Sequence, residues 1–313
     1  MGEVVYSTVK LKPELRREIE ELAEVYEAGE LGGAADLSRI TVLLCGPITG
    51  AELDAMNNLR FIQCVYAGVD SLPWSHIPAD VTVASNVGSN ADAVAEHAFA
   101  LLLAAAKRIT FFDQRVRSGN FEVVGESRML HGRRICVLGL GAIGSRVAEI
   151  AKAFKMYVVG YGRSLRSGVT VDEFYPPDRI SDALRGCDYA VIALPLTKHT
   201  RGLITYEKLC LMKREGILVN VGRAPIIVKE DLVRFLKENP SFIYANDVWW
   251  NIRSPSEDSD VYSLPNTLST PWVAGAASSR ETYEEMLRLA VENVVRYLRG
   301  ERPLNIVRHE DYR

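Results

Sequence analysis

Glycine at three fixed offsets is the sharpest chemical signal in this chain. Gly139-Leu140-Gly141-Ala142-Ile143-Gly144 follows a β-branched run, Ile135–Leu138, and opens a helical pattern at Ser145. Missing Cβ atoms permit a tight turn and the close approach of a pyrophosphate, whose charge meets the helix N-terminus. A second run, Tyr157–Tyr161, follows at the spacing of a dinucleotide-binding unit. At its end an Asp or Glu would take the ribose 2′-hydroxyl of NAD. The chain has Tyr161-Gly162-Arg163-Ser164 there, with Arg166 close by. A small residue, a guanidinium and a hydroxyl leave room for a 2′-phosphate and donate to it, so NADP is expected ahead of NAD. Four further loops qualify by position, because ligands of such sheets bind beyond the carboxyl ends of strands. They are Leu194-Pro195-Leu196-Thr197, Gly222-Arg223 after Val221, Asp247-Val248 and Pro271-Trp272.

Those loops need strands beneath them. From Arg134 the candidate strands are Ile135–Leu138, Tyr157–Tyr161, Tyr189–Leu194, Ile217–Val221, Phe242–Asp247 and Thr267–Thr270. Helical patterns between them, such as Ser145–Phe154, Thr205–Met212 and Lys229–Glu238, predict a doubly wound parallel sheet of six strands. The first ninety residues alternate in the same way. Val4–Ser7, Ile40–Leu44, Phe61–Tyr66 and Val81–Ser85 read as strands, with helices over Pro13–Glu27 and Thr49–Asn57. Thr49-Gly50-Ala51-Glu52 has capping-box spacing. A dense apolar helix is expected from about Asp92 to Arg117, buried between domains or subunits, and the first domain boundary is placed at its start. Ser279–Arg299 reads as a final amphipathic helix stopped by Gly300.

Composition narrows the function classes. The 313 residues are 48% hydrophobic and 25% charged, which excludes a disordered or fibrous chain and suggests two domains. Forty acidic against 37 basic residues leave a net charge of −3, so nothing points to nucleic acid or anionic lipid. Five widely spaced cysteines fit reduced core thiols better than a disulfide framework or a metal site. No leader pattern is visible, and the longest apolar run, Ala98–Ala106, is shorter than the roughly 18–20 residues of a membrane span. A cytoplasmic protein is expected.

Several motifs then match one family in its order. Ala67-Gly68-Val69-Asp70, Ala93-Val94-Ala95-Glu96-His97, Leu194-Pro195-Leu196-Thr197 with Thr200–Ile204, Asn220-Val221-Gly222-Arg223 and Ala245-Asn246-Asp247-Val248 resemble segments of the D-isomer-specific 2-hydroxyacid dehydrogenases. The similarity covers nearly the whole chain. It implies an α/β protein of two doubly wound parallel-sheet domains, a Rossmann dinucleotide-binding domain and a smaller flavodoxin-like substrate domain. The substrate domain would be discontinuous, residues 1–90 and 277–313, and the nucleotide domain 91–276 would include the long helix. The resemblance also implies a homodimer through the long helix after Asn90. N–H groups of Ala67, Gly68 and Val69 would hold the substrate carboxylate, Arg223 would be the catalytic arginine, and Asp247 would help seat the nicotinamide. The implied activity is an oxidoreductase acting on a CH–OH group with NADP or NAD. It would interconvert a small 2-keto acid, such as glyoxylate or hydroxypyruvate, and the D-2-hydroxy acid.

One part of the pattern is missing. The family's acid/base is a His after Thr-Pro, paired with a Glu shortly after the Asp-Val segment. Here Thr270-Pro271 is followed by Trp272, and no Asp or Glu occurs from Val248 to Ser256. An indole N–H donates a hydrogen bond but does not release its proton near neutrality. A positioned acid/base is worth about 10²–10⁴ in rate. Of the five histidines, His97 reads as a structural helix residue and His199 as a solvated loop residue; Glu257, Asp258 and Tyr66 are outside candidates. Trp249, Trp250 and Trp272 would make a dry aromatic pocket lining the substrate. Two other readings stay open: a nucleotide-binding protein without turnover, and formate oxidation, which needs no proton transfer.

Overall fold

Short β-branched runs alternating with amphipathic stretches can pair in parallel only if each strand is followed by a crossover. The computed structural model shows two such arrangements and describes residues 2–31, 34–165, 167–251, 254–275 and 279–313. The chain divides into two units, Met1–Asn90 with Ser279–Arg313, and Ala91–Ser278.

The first unit runs β1 (Val4–Ser7), α1 (Pro13–Glu20), β2 (Glu24–Glu27), α2 (Ala34–Leu37), β3 (Val42–Cys45), α3 (Gly50–Ala55), β4 (Phe61–Cys64) and β5 (Thr82–Ala84). Its sheet is parallel throughout in the order β2-β1-β3-β4-β5, the flavodoxin-like order. The Thr49 capping box forms as expected: its hydroxyl accepts from the Glu52 N–H and its own N–H reaches the Glu52 carboxylate at 2.8 Å. The helix expected over Pro13–Glu27 stops at Glu20. Its last residues become β2: after a run of good helix formers, the strand-favouring Val25 and Tyr26 pair with Val5 and Tyr6.

The second unit runs α4 (Ala91–Lys107), α5 (Ile109–Arg117), β6 (Arg134–Leu138), α6 (Ala142–Ala153), β7 (Tyr157–Tyr161), β8 (Glu173–Tyr175) and α7 (Ile180–Leu184). It continues with β9 (Tyr189–Ile192), α8 (Tyr206–Leu209), β10 (Ile217–Asn220), α9 (Lys229–Glu238), β11 (Ile243–Asn246), α10 (Ser259–Tyr262) and β12 (Thr267–Ser269). The sheet order β8-β7-β6-β9-β10-β11-β12 contains the Rossmann order, reversing between β6 and β9. Seven strands replace the six expected, since β8 was not anticipated. The single helix expected from Asp92 to Arg117 is two helices, broken at Arg108, whose φ of +55° lies in the left-handed region. The dense apolar face of α4 packs on α6, β10 and β11 of its own unit. The final helix, α11 (Arg280–Leu298), returns to the first unit, capped by the Ser279 hydroxyl and packed on α1, β3 and β4. No described helix is long and apolar enough to cross a membrane.

Candidate active site

The glycine turn lies where the strand order reverses, between β6 and β9. Gly139 has φ +99°, and a Cβ there would sit 2.9 Å from the Ala193 carbonyl oxygen. A Cβ on Gly144 would fall 1.7 Å from the Gly139 oxygen, so helix and turn touch through bare backbone. Around Gly141, by contrast, nothing lies within 4 Å of a Cβ position. The turn is therefore closed on its protein side and open on the other, and Ala142 and Ile143 start α6 with first-turn N–H groups that have no helical acceptor. This cradle fits a pyrophosphate. The Gly139 N–H donates to the Tyr161 carbonyl at 2.8 Å, tying the cradle to the end of β7. There Gly162 is buried, while Arg163 and Ser164 are exposed. Arg166 lies outside the described residues. Past β9, Leu194 is half-buried, Pro195 exposed and Leu196 buried, and the Thr200 hydroxyl closes this turn on the Pro195 carbonyl at 2.6 Å.

The ends of β10 and β11 are shaped by two asparagines that sequence reasoning did not single out. Asn220 and Asn246 are register partners, both fully buried. The Asn220 carbonyl oxygen accepts from the Gly222 N–H at 3.1 Å while its amide donates to the Arg223 carbonyl. Asn246 donates to the Val248 carbonyl at 2.8 Å and accepts from the Ser269 hydroxyl at 2.7 Å. Each asparagine thus supplies the hydrogen bonds that the turn behind its strand cannot make for itself. Val221 is buried, and Gly222 backs onto the Leu194 carbonyl, which brings the β9 and β10 turns together. Arg223 is held from behind: its Nη1 donates to the Gly222 carbonyl at 2.9 Å, and its guanidinium carbon lies 5.7 Å from the Trp272 ring centroid.

Asp247, only 2% exposed, organises the turn after β12. Its Oδ1 accepts from the Thr270 hydroxyl at 2.6 Å and the Val273 N–H at 2.8 Å, and its Oδ2 from the Ala274 N–H at 2.8 Å. Those two N–H groups can converge because Trp272 before them has φ +62°, a conformation costing a bulky residue about 1–3 kcal/mol. His97, from α4, places Nε2 at 2.9 Å from the Thr270 hydroxyl and 3.7 Å from Asp247 Oδ1. The imidazole expected to be only structural therefore stands in the same hydrogen-bonded group as the Thr-Pro turn.

Each of the three tryptophans is anchored by a different partner. Trp272 faces Arg223, the Trp249 indole donates to the Thr270 carbonyl at 3.2 Å, and the Trp250 indole donates to the Ile227 carbonyl at 3.2 Å. Asp258 is no spare acid. Burial works to raise its carboxyl, but the Asn251 N–H at 3.0 Å, Lys229 and the Asn251 amide outweigh that and hold it below the usual carboxylate range. Glu257 is exposed. Ile252 and Arg253 lie outside the described residues. Among the described residues no cluster of His, Cys, Asp and Glu could hold a metal ion.

In the first unit, Ala67-Gly68-Val69 follows β4. Val69 is buried and its carbonyl accepts from the Trp74 indole at 2.9 Å, which anchors the loop. The N–H groups of Ala67 and Gly68, both half-buried, have no acceptor among the described residues. Tyr66 beside them is exposed.

Residues 99–274 match the family model for the D-isomer specific 2-hydroxyacid dehydrogenase NAD-binding domain. A glyoxylate reductase of Korarchaeum cryptofilum is 31% identical over 88% of this chain and 84% of its own length. A candidate formate dehydrogenase of Pyrobaculum aerophilum, known as a crystal structure, is 42% identical, covers 98% of this chain and 99% of its own, and superposes with a TM-score of 0.89. A glycerate dehydrogenase related protein of Thermoplasma acidophilum is 32% identical over 94% of this chain and 99% of its own, with a TM-score of 0.63.

Proposed function

The chain belongs to the D-isomer specific 2-hydroxyacid dehydrogenase family and is an oxidoreductase, and we propose that it reduces a small 2-keto acid of the glyoxylate or hydroxypyruvate kind to the D-2-hydroxy acid. The observation that carries this reading is the open face of the Gly139–Gly144 cradle together with a guanidinium at the end of a nearby strand of the same sheet. In the second unit, Gly139, Gly141, Ala142, Ile143 and Gly144 would hold the pyrophosphate. Gly162, Arg163 and Ser164 would take the 2′-phosphate, which favours NADP over NAD. Leu194, Pro195 and Leu196 would lie against the adenosine, and Val221 and Gly222 would line the nucleotide's path. Asp247 would act on the nicotinamide side through the turn it holds. Bound in reduced form, the nucleotide supplies a hydride. Arg223 then neutralises charge on the keto acid, under the Trp272 ring. In the first unit, the N–H groups of Ala67, Gly68 and Val69 suit the substrate carboxylate. Residues 1–90 and 277–313 serve as the substrate domain, and 91–276 as the nucleotide domain.

The relatives favour turnover over silent nucleotide binding. A second copy of the chain would cover α5, which has no buried residue, together with exposed Ile109, Val116, Phe121, Val123 and Met129, giving a homodimer beside α4. Five free cysteines suit a reducing cytoplasm.

A panel of 2-keto acids, with formate as the reverse-direction arm, tests the reading using both cofactors. NADPH-dependent reduction of a two- or three-carbon 2-keto acid is expected, with Arg223→Ala lowering kcat/KM about 10²–10³-fold and leaving NADPH binding intact. Reduction of no keto acid with either cofactor would overturn it.

A further inference from the structure

A keto group that accepts a hydride at carbon also needs a proton at oxygen, and Trp272 cannot supply it. We propose that Thr270 delivers this proton and that His97, acting through it, is the reservoir. The proposal rests on the reductase reading above.

Thr270 stands two residues before the ring that lies over Arg223, so its half-buried hydroxyl belongs to the same turn as that indole. The hydroxyl is bonded on both sides, to His97 Nε2 at 2.9 Å and to Asp247 Oδ1 at 2.6 Å. A carboxylate only accepts, so Thr270 gives its proton to Asp247 and accepts from the His97 N–H. Imidazole, hydroxyl and carboxylate thus form a directed chain. Asp247 Oδ1, 3.7 Å from Nε2, is the counter-charge for the imidazolium. The His97 side chain is 21% exposed, which lets water reprotonate it.

The step balances. Hydride from the reduced nicotinamide forms the new C–H bond, and the carbonyl π pair moves to oxygen. That oxygen takes the Thr270 hydroxyl proton once the hydroxyl has turned from Asp247. Thr270 recovers a proton from His97 Nε2, and His97 from solvent. The other charged groups on elements packed against α4 are Arg223 past β10 and Arg146, Glu149 and Lys152 on α6; Arg146 is ion-paired with Asp92 at the start of α4 and with Glu149, and Lys152 with Asp172. Asp113, Arg115 and Arg117 on α5 lie beyond the other end of α4, and Glu96 on α4 itself is exposed.

The test compares wild type with His97→Gln, which keeps an N–H donor for Thr270 but does not titrate, and with Thr270→Val, which removes the hydroxyl at equal volume. Steady-state kinetics between roughly pH 5 and 8 and NADPH binding by fluorescence are the readouts. Wild-type kcat should fall as pH rises, because the relay must deliver a proton. Both variants should lose about 10²–10⁴ in kcat, with the alkaline fall gone in His97→Gln and with keto-acid KM and NADPH affinity retained. A His97→Gln enzyme that keeps wild-type kcat and its alkaline fall overturns the proposal. So does parallel loss of kcat, KM and NADPH affinity, which would mark a structural prop. If His97→Gln does not fold, full activity in Thr270→Val overturns it alone. A wild type inactive on every keto acid fails the reductase reading and this inference together, whereas an active His97→Gln enzyme fails only this one.

Discussion

Two turns of the same sheet solve their positioning problem in opposite ways. After β6, the Gly139–Gly144 turn is shaped by what is missing: bare backbone meets bare backbone at Gly144, and the side at Gly141 is left open. After β12, the Thr270–Ala274 turn is shaped by what is added, a buried carboxylate accepting from one hydroxyl and two N–H groups while a tryptophan is held left-handed. The first is a property of backbone geometry and tolerates no side chain. The second is a property of a network contributed by α4, β11 and the turn itself. A dinucleotide presents the same phosphates to every member of such a family, so a backbone cradle suffices. Proton delivery depends on which side chains the network recruits, and here Trp272 follows Thr270-Pro271 in that turn.

The contrast can be broken at its strongest point first. Gly144→Ala puts a methyl group where only 1.7 Å separates it from a carbonyl oxygen, and neither helix nor turn can yield cheaply. A loss of about 1–3 kcal/mol in stability is expected with a roughly 10- to 100-fold weaker NADPH complex, read by melting and fluorescence titration. Unchanged binding would show that the cradle is softer than its geometry. Asp247→Asn attacks the other turn. An amide can satisfy one of the two N–H groups but turns a donor toward another, so stability should drop by about 2 kcal/mol. Here kcat should fall, since the His97–Thr270 pair loses its counter-charge, and NADPH should weaken less than in Gly144→Ala; an equal loss of NADPH affinity would mean that the two turns are not independent. The smallest effect is at the periphery: Arg163→Ala should weaken NADPH about tenfold and leave NADH unchanged, because an exposed guanidinium is partly screened. Equal effects on both cofactors would remove Arg163 from the 2′-phosphate.

The same contrast explains what could be read in advance. The glycine turn, the strand-end loops and both sheets announce themselves through local spacing, and so does the Thr49 capping box. The His97–Thr270–Asp247 group does not, since its members come from three elements and carry no periodic signal. Asn220 and Asn246 were quoted in family-like segments, yet their work on the turns behind them depends on buried hydrogen bonds. β2 was hidden at the end of a run of good helix formers, where only Val25 and Tyr26 favour a strand, and it pairs with β1. β8 is three residues long and begins on Glu173, as edge strands that must resist further pairing tend to be short and charged. The break at Arg108 has neither glycine nor proline to mark it.

The backbone at Trp272 has a consequence for laboratory evolution. Glycine, or asparagine, would relax there at once. A saturation library at this codon, sorted only for survival of heating, should drift away from tryptophan, and one sorted for reductase output should return to it. The distance between the two winners would measure how much thermal robustness this lineage gives up to keep a ring above its arginine.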